Sequence, residues 1–442
     1  MKSKDGFLSQ FIEKRWYLLL LSLALTGLSA SLSAVLFRSG VHRLEELRLS
    51  LLDLMPPLVV LPVLGAVGGL ISGLLVSRIA PAAGGSGVSH LIGFLHNRPI
   101  PINIKVALVK LIAGITAIGS GFPLGAEGPS VQMGGAVAWQ ISKWIKAPKS
   151  FTKIIVSAGG GAGLAAVFNA PIAGLFFAIE ELLHTTTPLV MGVVAVTAFW
   201  SDAWGAIFNW LGVDKENGGF HGVYGFQIYS EHDVDVSFLP VDIIGLVFLG
   251  LAIGLVGELY TRYLLTAGRL SSQLFRQRLV LKMVISGLSI GIIYALLPEI
   301  FHEFTELDNL VIDAVASPSL ALQTLLVMFA TTGLAVASGA PGGLFMPMLT
   351  LGACSGLAIC GFYETVFGYA PSSMIYAGMG AFVAACSRTP ITAIFIVFAI
   401  TKNLLILKPV LIASIASYLT SRAISNDSIY ERQLDSRLQG EL

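Results

Sequence analysis

The chain has 442 residues, of which 55% are hydrophobic and 12% are charged, and its formal net charge is +1. Soluble domains carry about 25% charged residues, so this composition excludes an ordinary soluble protein and predicts an all-α, polytopic membrane protein. The nearly neutral net charge argues against nucleic acid as a partner. The long apolar segments predict that the protein lies in a lipid bilayer.

The N-terminal segment, residues 1–16, contains several basic residues and predicts a short amphipathic helix in the cytosol. Residues 17–37 follow as an apolar segment long enough to span a bilayer. No small-residue cleavage site follows convincingly, so we interpret this segment as a retained first span and not as a signal peptide. Beyond residue 16 we expect a first transmembrane half over 17–235, a second half over 236–424 and a cytosolic tail over 425–442.

Glycine and proline interrupt the apolar segments, several of which are shorter than the roughly 20 residues of a perpendicular span. Broken helices of this kind mark binding sites in transporters, because irregular backbone at membrane depth must line a cavity enclosed by protein. Four breaks are candidates for such a site, at residues 84–89, 120–135, 339–347 and 425–430.

The second break contains one carboxylate, Glu127, with neither lysine nor arginine within ten residues of it. An ionisable side chain at membrane depth is costly and therefore a functional candidate by default. Gly128 leaves the backbone open, and Pro129 suits the first turn of a helix. The start of such a helix aims unpaired N–H groups at a carboxylate or a small anion. We therefore expect Glu127 and an anion to compete for one position.

Charged loops predict the orientation of the chain. Residues 143–153 and 262–282 contain basic side chains and no acid, so both loops are expected in the cytosol by the positive-inside rule. The acidic segments 214–235 and 299–313 are then expected outside. Both termini are accordingly expected in the cytosol.

An internal repeat is visible in the sequence. Residues 165–172 (Ala-Ala-Val-Phe-Asn-Ala-Pro-Ile) match residues 384–391 (Ala-Ala-Cys-Ser-Arg-Thr-Pro-Ile) at an offset of 219, and residues 125–128 match residues 339–342 at an offset of 214. Weak internal symmetry of this kind is typical of transporters built from two repeats, often inverted, of tilted and partly broken helices.

Enzymatic function has no support in the sequence. No His-Glu-x-x-His metal motif and no Gly-x-Ser-x-Gly elbow is present, and His90 is the one nearby candidate base for Ser86. The three cysteines (Cys354, Cys360, Cys386) lie in apolar segments without metal-ligand or disulfide spacing and are expected to be buried thiols. We expect no enzyme activity, no metal and no cofactor.

Three of the motifs together resemble the anion-filter signatures of the CLC family of chloride channels and chloride/proton exchangers. They are, in order, residues 85–88 (Gly-Ser-Gly-Val), 125–129 (Gly-Ala-Glu-Gly-Pro) and 342–347 (Gly-Gly-Leu-Phe-Met-Pro). Residues 162–171 and the pair Glu180 and Glu181 also match this family. The resemblance covers nearly the whole chain and is greatest to prokaryotic members without cytosolic regulatory domains, since twelve residues follow Tyr430.

The resemblance implies an anion site made of neutral donors. The hydroxyls of Ser86 and Tyr430 and the backbone N–H groups of Leu344 and Phe345 would bind a central chloride. Neutral donors suit a transported ion, because full positive charges would bind it too tightly to release it. Serine at position 86 favours chloride over nitrate or fluoride, and a buried Lys110 would add a positive field without direct contact.

The resemblance also implies a proton pathway and an assembly. Glu127 would be the external gate that alternates with chloride, and Glu181 would be the internal proton acceptor. The implied function is chloride/proton exchange by a homodimer in a membrane, expected to be the bacterial inner membrane. A passive voltage- or pH-gated chloride channel is the alternative, and a titratable Glu181 favours the exchanger.

Each of these side chains also has a simpler interpretation. Ser86 could cap a helix, Tyr430 could anchor the chain at a membrane interface, and Glu180 and Glu181 could be solvated charges at a helix end. The chain departs from the family pattern at four positions, namely Ser89, His90, Ala126 and Ala399.

Overall fold

The computed structural model describes residues 2–213, 238–275, 278–302, 318–369, 371 and 373–440. The division expected at residue 235, the acidic segment 214–235 and most of the acidic segment 299–313 lie outside these ranges. Within them the regular structure is helical, apart from one isolated bridge between Gly125 and Gly343. The all-α prediction is confirmed for this part of the chain.

The first half of the chain contributes eight α-helices, and a π-helical turn, Ala178–Leu183, continues the seventh of them. Proline begins three of these helices, at positions where its missing N–H costs nothing. The helices are α1 (Lys2–Leu52), α2 (Pro57–Arg78), α3 (Val88–Leu95), α4 (Ile104–Gly119), α5 (Glu127–Trp144), α6 (Lys149–Phe168), α7 (Pro171–Phe177) and α8 (Pro188–Trp210).

The second half contributes eight more α-helices in the described residues. They are α9 (Asp242–Phe275), α10 (Leu279–Ala295), α11 (Pro318–Ser338), α12 (Phe345–Phe367), α13 (Met374–Ser387), α14 (Pro390–Thr401), α15 (Leu407–Ile424) and α16 (Ile429–Leu438). Short 3₁₀ turns occur at Pro81–Ala83, Glu299–Phe301 and Leu404–Ile406.

The chain is an integral, multi-pass membrane protein. Eight helical segments of the described residues are long and apolar enough to cross a bilayer, while α13 and α14 are apolar but have only 14 and 12 residues. Helix interfaces are built on glycine, which lets backbones approach closely in a membrane. A Cβ on Gly134 of α5 would lie 2.1 Å from the carbonyl oxygen of Gly159 on α6, so neither helix could approach as closely with alanine at that position.

The helix expected over residues 1–16 is continuous with the first apolar segment, because α1 runs unbroken from Lys2 to Leu52. One sequence expectation needs correction. In the repeat, the counterpart of Gly125 is Gly343 and not Gly339, because these two residues pair with each other. The helices that follow them, α5 and α12, begin at Glu127 and Phe345, which are 218 residues apart. This separation agrees with the 219 residues between the starts of α7 and α14.

The cysteine prediction holds for two of the three side chains. Cys354 and Cys386 are buried, whereas Cys360 is partly exposed on α12 with its Sγ 3.8 Å from the carbonyl oxygen of Pro371. All three are free thiols.

Candidate functional site

Three of the four predicted breaks are joined directly by backbone hydrogen bonds. Gly125 and Gly343 exchange a reciprocal pair, with N···O distances of 3.0 and 2.6 Å. The N–H of Gly85 donates to the carbonyl of Gly339 at 2.9 Å, and the N–H of Gly342 donates to the carbonyl of Gly85 at 3.3 Å. The breaks from both halves of the chain therefore meet at one point inside the protein.

Glycine is required at this junction for steric reasons. A Cβ on Gly128 would lie 2.3 Å from the carbonyl oxygen of Ser86 and 2.9 Å from the Cα of Gly343. Such distances are shorter than any real Cβ contact, so these loops can pack together only where the side chain is a hydrogen atom.

The Glu127 carboxylate lies inside this junction and is fully buried. Its Oε1 accepts hydrogen bonds from the backbone N–H of Phe345 at 2.6 Å and of Met346 at 3.3 Å. These are two of the N–H groups that the first turn of α12 leaves without an intrahelical partner. Its Oε2 makes no hydrogen bond within the described residues. The carboxyl group of Glu127 thus occupies the positive end of α12.

The backbone donors differ from the predicted pair, Leu344 and Phe345, because Phe345 and Met346 donate to Glu127. Leu344 immediately precedes α12, and its N–H is not one of the two α12 donors to Glu127. Met346 was missed, although the rule that the first N–H groups of a helix are unpaired could have found it once the helix start was known.

Ser86 is buried and borders a cavity of about 620 Å³ that Leu344, Gln433 and Arg437 also line. Its hydroxyl lies 3.4 Å from Oε1 of Gln433. The residue that precedes α3 as its cap is Gly87, and no side chain caps that helix. The capping interpretation of Ser86 is therefore wrong.

Tyr430 is fully buried as the second residue of α16, and its ring lies 6.0 Å from the ring of Phe345. Its hydroxyl makes no hydrogen bond within the described residues, which leaves a buried donor near the start of α12. Burial excludes the interfacial-anchor interpretation, because an anchor would place its hydroxyl in the headgroup region. The fourth break therefore contributes to the same site as the other three.

Glu180 and Glu181 have different environments although they are neighbours in the π-helical turn. Both Glu180 oxygens cap α14, since they accept from the N–H of Ile391 at 3.1 Å and from the N–H and hydroxyl of Thr392 at 2.8 and 2.7 Å. Glu181 is 2% exposed, and its Oε1 accepts from the Ser428 hydroxyl at 2.6 Å. The solvated interpretation of Glu181 is therefore wrong.

Comparison with known proteins agrees with this geometry. A family model described as voltage gated chloride channel matches residues 68–422. The chain belongs to this family, called CLC. It is 31% identical to the H(+)/Cl(-) exchange transporter ClcA of Vibrio cholerae over 463 aligned positions, which cover 100% of this chain and 94% of the relative. ClcA of Vibrio parahaemolyticus is 29% identical, with 99% and 94% covered.

Solved CLC structures share the fold. A slow cyanobacterial Cl⁻/H⁺ antiporter superposes with a TM-score of 0.83 at 25% identity, covering 96% of this chain and 98% of that one. A eukaryotic CLC transporter gives 0.80 at 21% identity, with 96% and 74% covered. A CLC-type fluoride/proton antiporter gives 0.75 at 20% identity, with 93% and 96% covered. The last two similarities concern the fold alone.

In this CLC chain the buried Lys110 binds backbone carbonyls at the first break, residues 84–89, and just before it. Its Nζ donates to the carbonyl of Ala83 at 3.0 Å and to the carbonyl of Gly85. The Lys110 amine therefore lies behind the loop that presents Ser86. His90 contacts the Arg437 guanidinium through its Nε2.

Proposed function

We propose that this CLC protein exchanges chloride for protons across its membrane. The observation that carries the proposal is the Glu127 carboxylate bound by the N–H groups of Phe345 and Met346. A helix start that binds a carboxylate in this way also suits a halide ion. The names of the ClcA relatives and of the cyanobacterial antiporter support exchange over simple conduction.

Ionised Glu127 acts as a gate because it and chloride need the same donors. Two unit charges about 4 Å apart repel by roughly 4 kcal/mol at an effective dielectric constant of 20, so both anions do not occupy the site together. Protonation removes the charge of Glu127, releases it from α12 and admits chloride. One proton is thereby taken up in exchange for anion movement.

Chloride is bound next to this gate by neutral groups. Ser86 and Tyr430 supply hydroxyl donors, and the N–H groups of Leu344 and Phe345 complete the site once Glu127 has left. The Tyr430 hydroxyl has no protein partner among the described residues, which supports a bound anion as its acceptor. Lys110 adds a positive field through the loop carbonyls that it holds.

Glu181 carries the proton on the cytosolic side. It lies away from the gate, and Tyr430 is close enough to both carboxylates to interact electrostatically with each. Protons cross the interval between Glu181 and Glu127 through transient water. Both termini face the cytosol, the bacterial inner membrane is the host membrane, and the protein is a homodimer with one pathway per subunit.

Paired flux measurements test this proposal. Purified protein in liposomes is expected to drive protons uphill when a chloride gradient is imposed. Glu181→Gln should abolish proton movement and leave chloride movement, because only the proton pathway needs a titratable group there. Glu364→Gln, an exposed position on α12, is the matched control and should leave both fluxes unchanged. Chloride flux without proton flux in the unmodified protein would establish the passive channel instead.

A further inference from the structure

The N-terminus of α16 connects Glu181 to a second carboxylate. The Ser428 hydroxyl donates to Glu181 Oε1 at 2.6 Å and accepts from the backbone N–H of Glu431 at 3.2 Å. Oε2 of Glu431 in turn accepts from the backbone N–H of Ser428 at 3.0 Å. This arrangement is a capping box. Its serine, however, bridges to a buried acid on another element.

The connection continues from Glu431 toward the protein surface. Oε1 of Glu431 lies 3.9 Å from Nε2 of His184, which directly follows the π-helical turn. The side chain of His184 is 52% exposed and that of Glu431 is 29% exposed, whereas Glu181 is 2% exposed. The exposure of these titratable groups therefore falls stepwise from His184 through Glu431 to the buried Glu181.

The other charges around Glu181 are committed elsewhere. Glu431, Glu180 and Arg388 all lie close enough to interact with it electrostatically. Glu180 uses both oxygens to cap α14. Arg388 binds the buried Glu258 and two backbone carbonyls at the end of α15. Glu431, with one oxygen directed toward His184, is the neighbour best placed to exchange protons with Glu181.

Given the proposed exchange function, on which this inference rests, we propose that His184, Glu431 and Ser428 relay protons between the aqueous face and Glu181. Because Nε2 of His184 and Oε1 of Glu431 are 3.9 Å apart, a proton leaves His184 through one water molecule and forms an O–H bond at Glu431. It then passes, directly or through one water molecule, to the Ser428 oxygen as the hydroxyl of Ser428 gives its own proton to Glu181. Each transfer breaks one N–H or O–H bond and forms one O–H bond, and the reverse sequence releases the proton.

Three conservative variants separate the relay from a purely structural role of the capping box. Glu431→Gln keeps an acceptor for the Ser428 N–H, since glutamine also completes a capping box, but it carries no titratable proton. Ser428→Asn keeps an N-cap and removes the hydroxyl proton, whereas Ser428→Thr keeps both. The side chains of Ser428 and Glu431 bond to Glu181 and within the capping box, and not to Glu127.

The test is paired chloride and proton flux by the full-length protein in liposomes, with thermal unfolding measured in parallel. Glu431→Gln and Ser428→Asn are expected to lower proton flux by about a hundredfold, the lower end of what a positioned proton-transfer group contributes. Chloride flux and the unfolding temperature should stay unchanged. Ser428→Thr should retain proton flux, and His184→Asn should lower it in the same direction as Glu431→Gln.

Two results would overturn the relay and leave chloride/proton exchange standing. Unchanged proton flux in Glu431→Gln, when Glu181→Gln abolishes it, would mean that Glu181 is supplied by another route. A parallel fall of chloride flux, proton flux and unfolding temperature would mean that Glu431 acts only as a cap. Retained proton flux in Glu181→Gln would instead remove Glu181 from the mechanism, whereas a lack of proton flux in the unmodified protein would overturn the exchange function itself.

Discussion

Removal of the Glu127 carboxylate should strengthen chloride binding, and the structure gives the size of the effect. Glu127 accepts one short bond of 2.6 Å from Phe345 N–H and a longer one of 3.3 Å from Met346 N–H. Hydrogen bonds to a charged group contribute about 1.5–3 kcal/mol each, and neutral ones about half as much. Since the longer bond is beyond the usual range, we assign about 3 kcal/mol to the carboxylate and about 1 kcal/mol to a glutamine amide.

These values convert into affinities through the fraction of open sites. Chloride binds only when the competitor has left, so its apparent dissociation constant is its intrinsic value divided by the open fraction. At about 1.4 kcal/mol per factor of ten, Glu127→Ala should tighten chloride binding about 150-fold and Glu127→Gln about 30-fold. Titration calorimetry with chloride in detergent at alkaline pH, where Glu127 is ionised, measures both.

The pH dependence of chloride affinity, measured in the same titrations, is a second test of competition between Glu127 and chloride. In the unmodified protein, chloride affinity should rise as the pH falls, because protonation neutralises the competing carboxylate. The two Glu127 variants should show no such rise, and Glu364→Gln should behave like the unmodified protein. If Glu127→Ala binds chloride within about threefold of the unmodified protein at alkaline pH, a free-energy difference below about 0.7 kcal/mol, the two anions do not compete.

Two further predictions concern stability, measured by thermal unfolding in detergent. Glu258 is buried and accepts from three arginines, so Glu258→Gln should lower the free energy of unfolding by about 3–5 kcal/mol, because Arg388 and Arg432 lose their buried counter-charge. Arg262→Gln removes only the partner that is 59% exposed, so it should change the free energy of unfolding by less than about 1 kcal/mol. Equal destabilisation by Glu258→Gln and Arg262→Gln would contradict a central role for the buried Glu258. Gly134→Ala would place a Cβ 2.1 Å from the Gly159 oxygen and should cost about 1–3 kcal/mol. Gly192→Ala, with nothing within 4 Å, should gain about 0.5–1 kcal/mol, so equal melting of the two variants would refute the packing argument.

Local sequence chemistry predicted the centre of the site well. A lone acid between a glycine-rich break and a proline indicated a helix start next to Glu127, and α5 begins at Glu127 itself. The breaks that contain Ser86, Phe345 and Tyr430 were expected at one point, and the structure brings them together. These features follow from the requirement that irregular backbone and charge at membrane depth be enclosed by protein.

Contacts between distant helices could not be predicted in the same way. Glu181 and Ser428 are 247 residues apart, and Glu180 caps a helix 211 residues away. Nothing in the periodicity of either segment specifies which helix faces which, because these contacts depend on how whole helices pack. The repeat offset near Gly125 was misplaced for a related reason: short glycine-rich segments match in several registers.

The reciprocal bonds between Gly125 and Gly343 have a consequence for how the gate moves. They join the starts of α5 and α12 through main-chain atoms alone, so neither protonation of a side chain nor a change of side-chain rotamer breaks them directly. Opening at this point is then left to rotation about the side-chain bonds of Glu127. Under the proposed mechanism, the gate therefore needs no sliding of helices, and rotation of one carboxyl group is the movement that opens it.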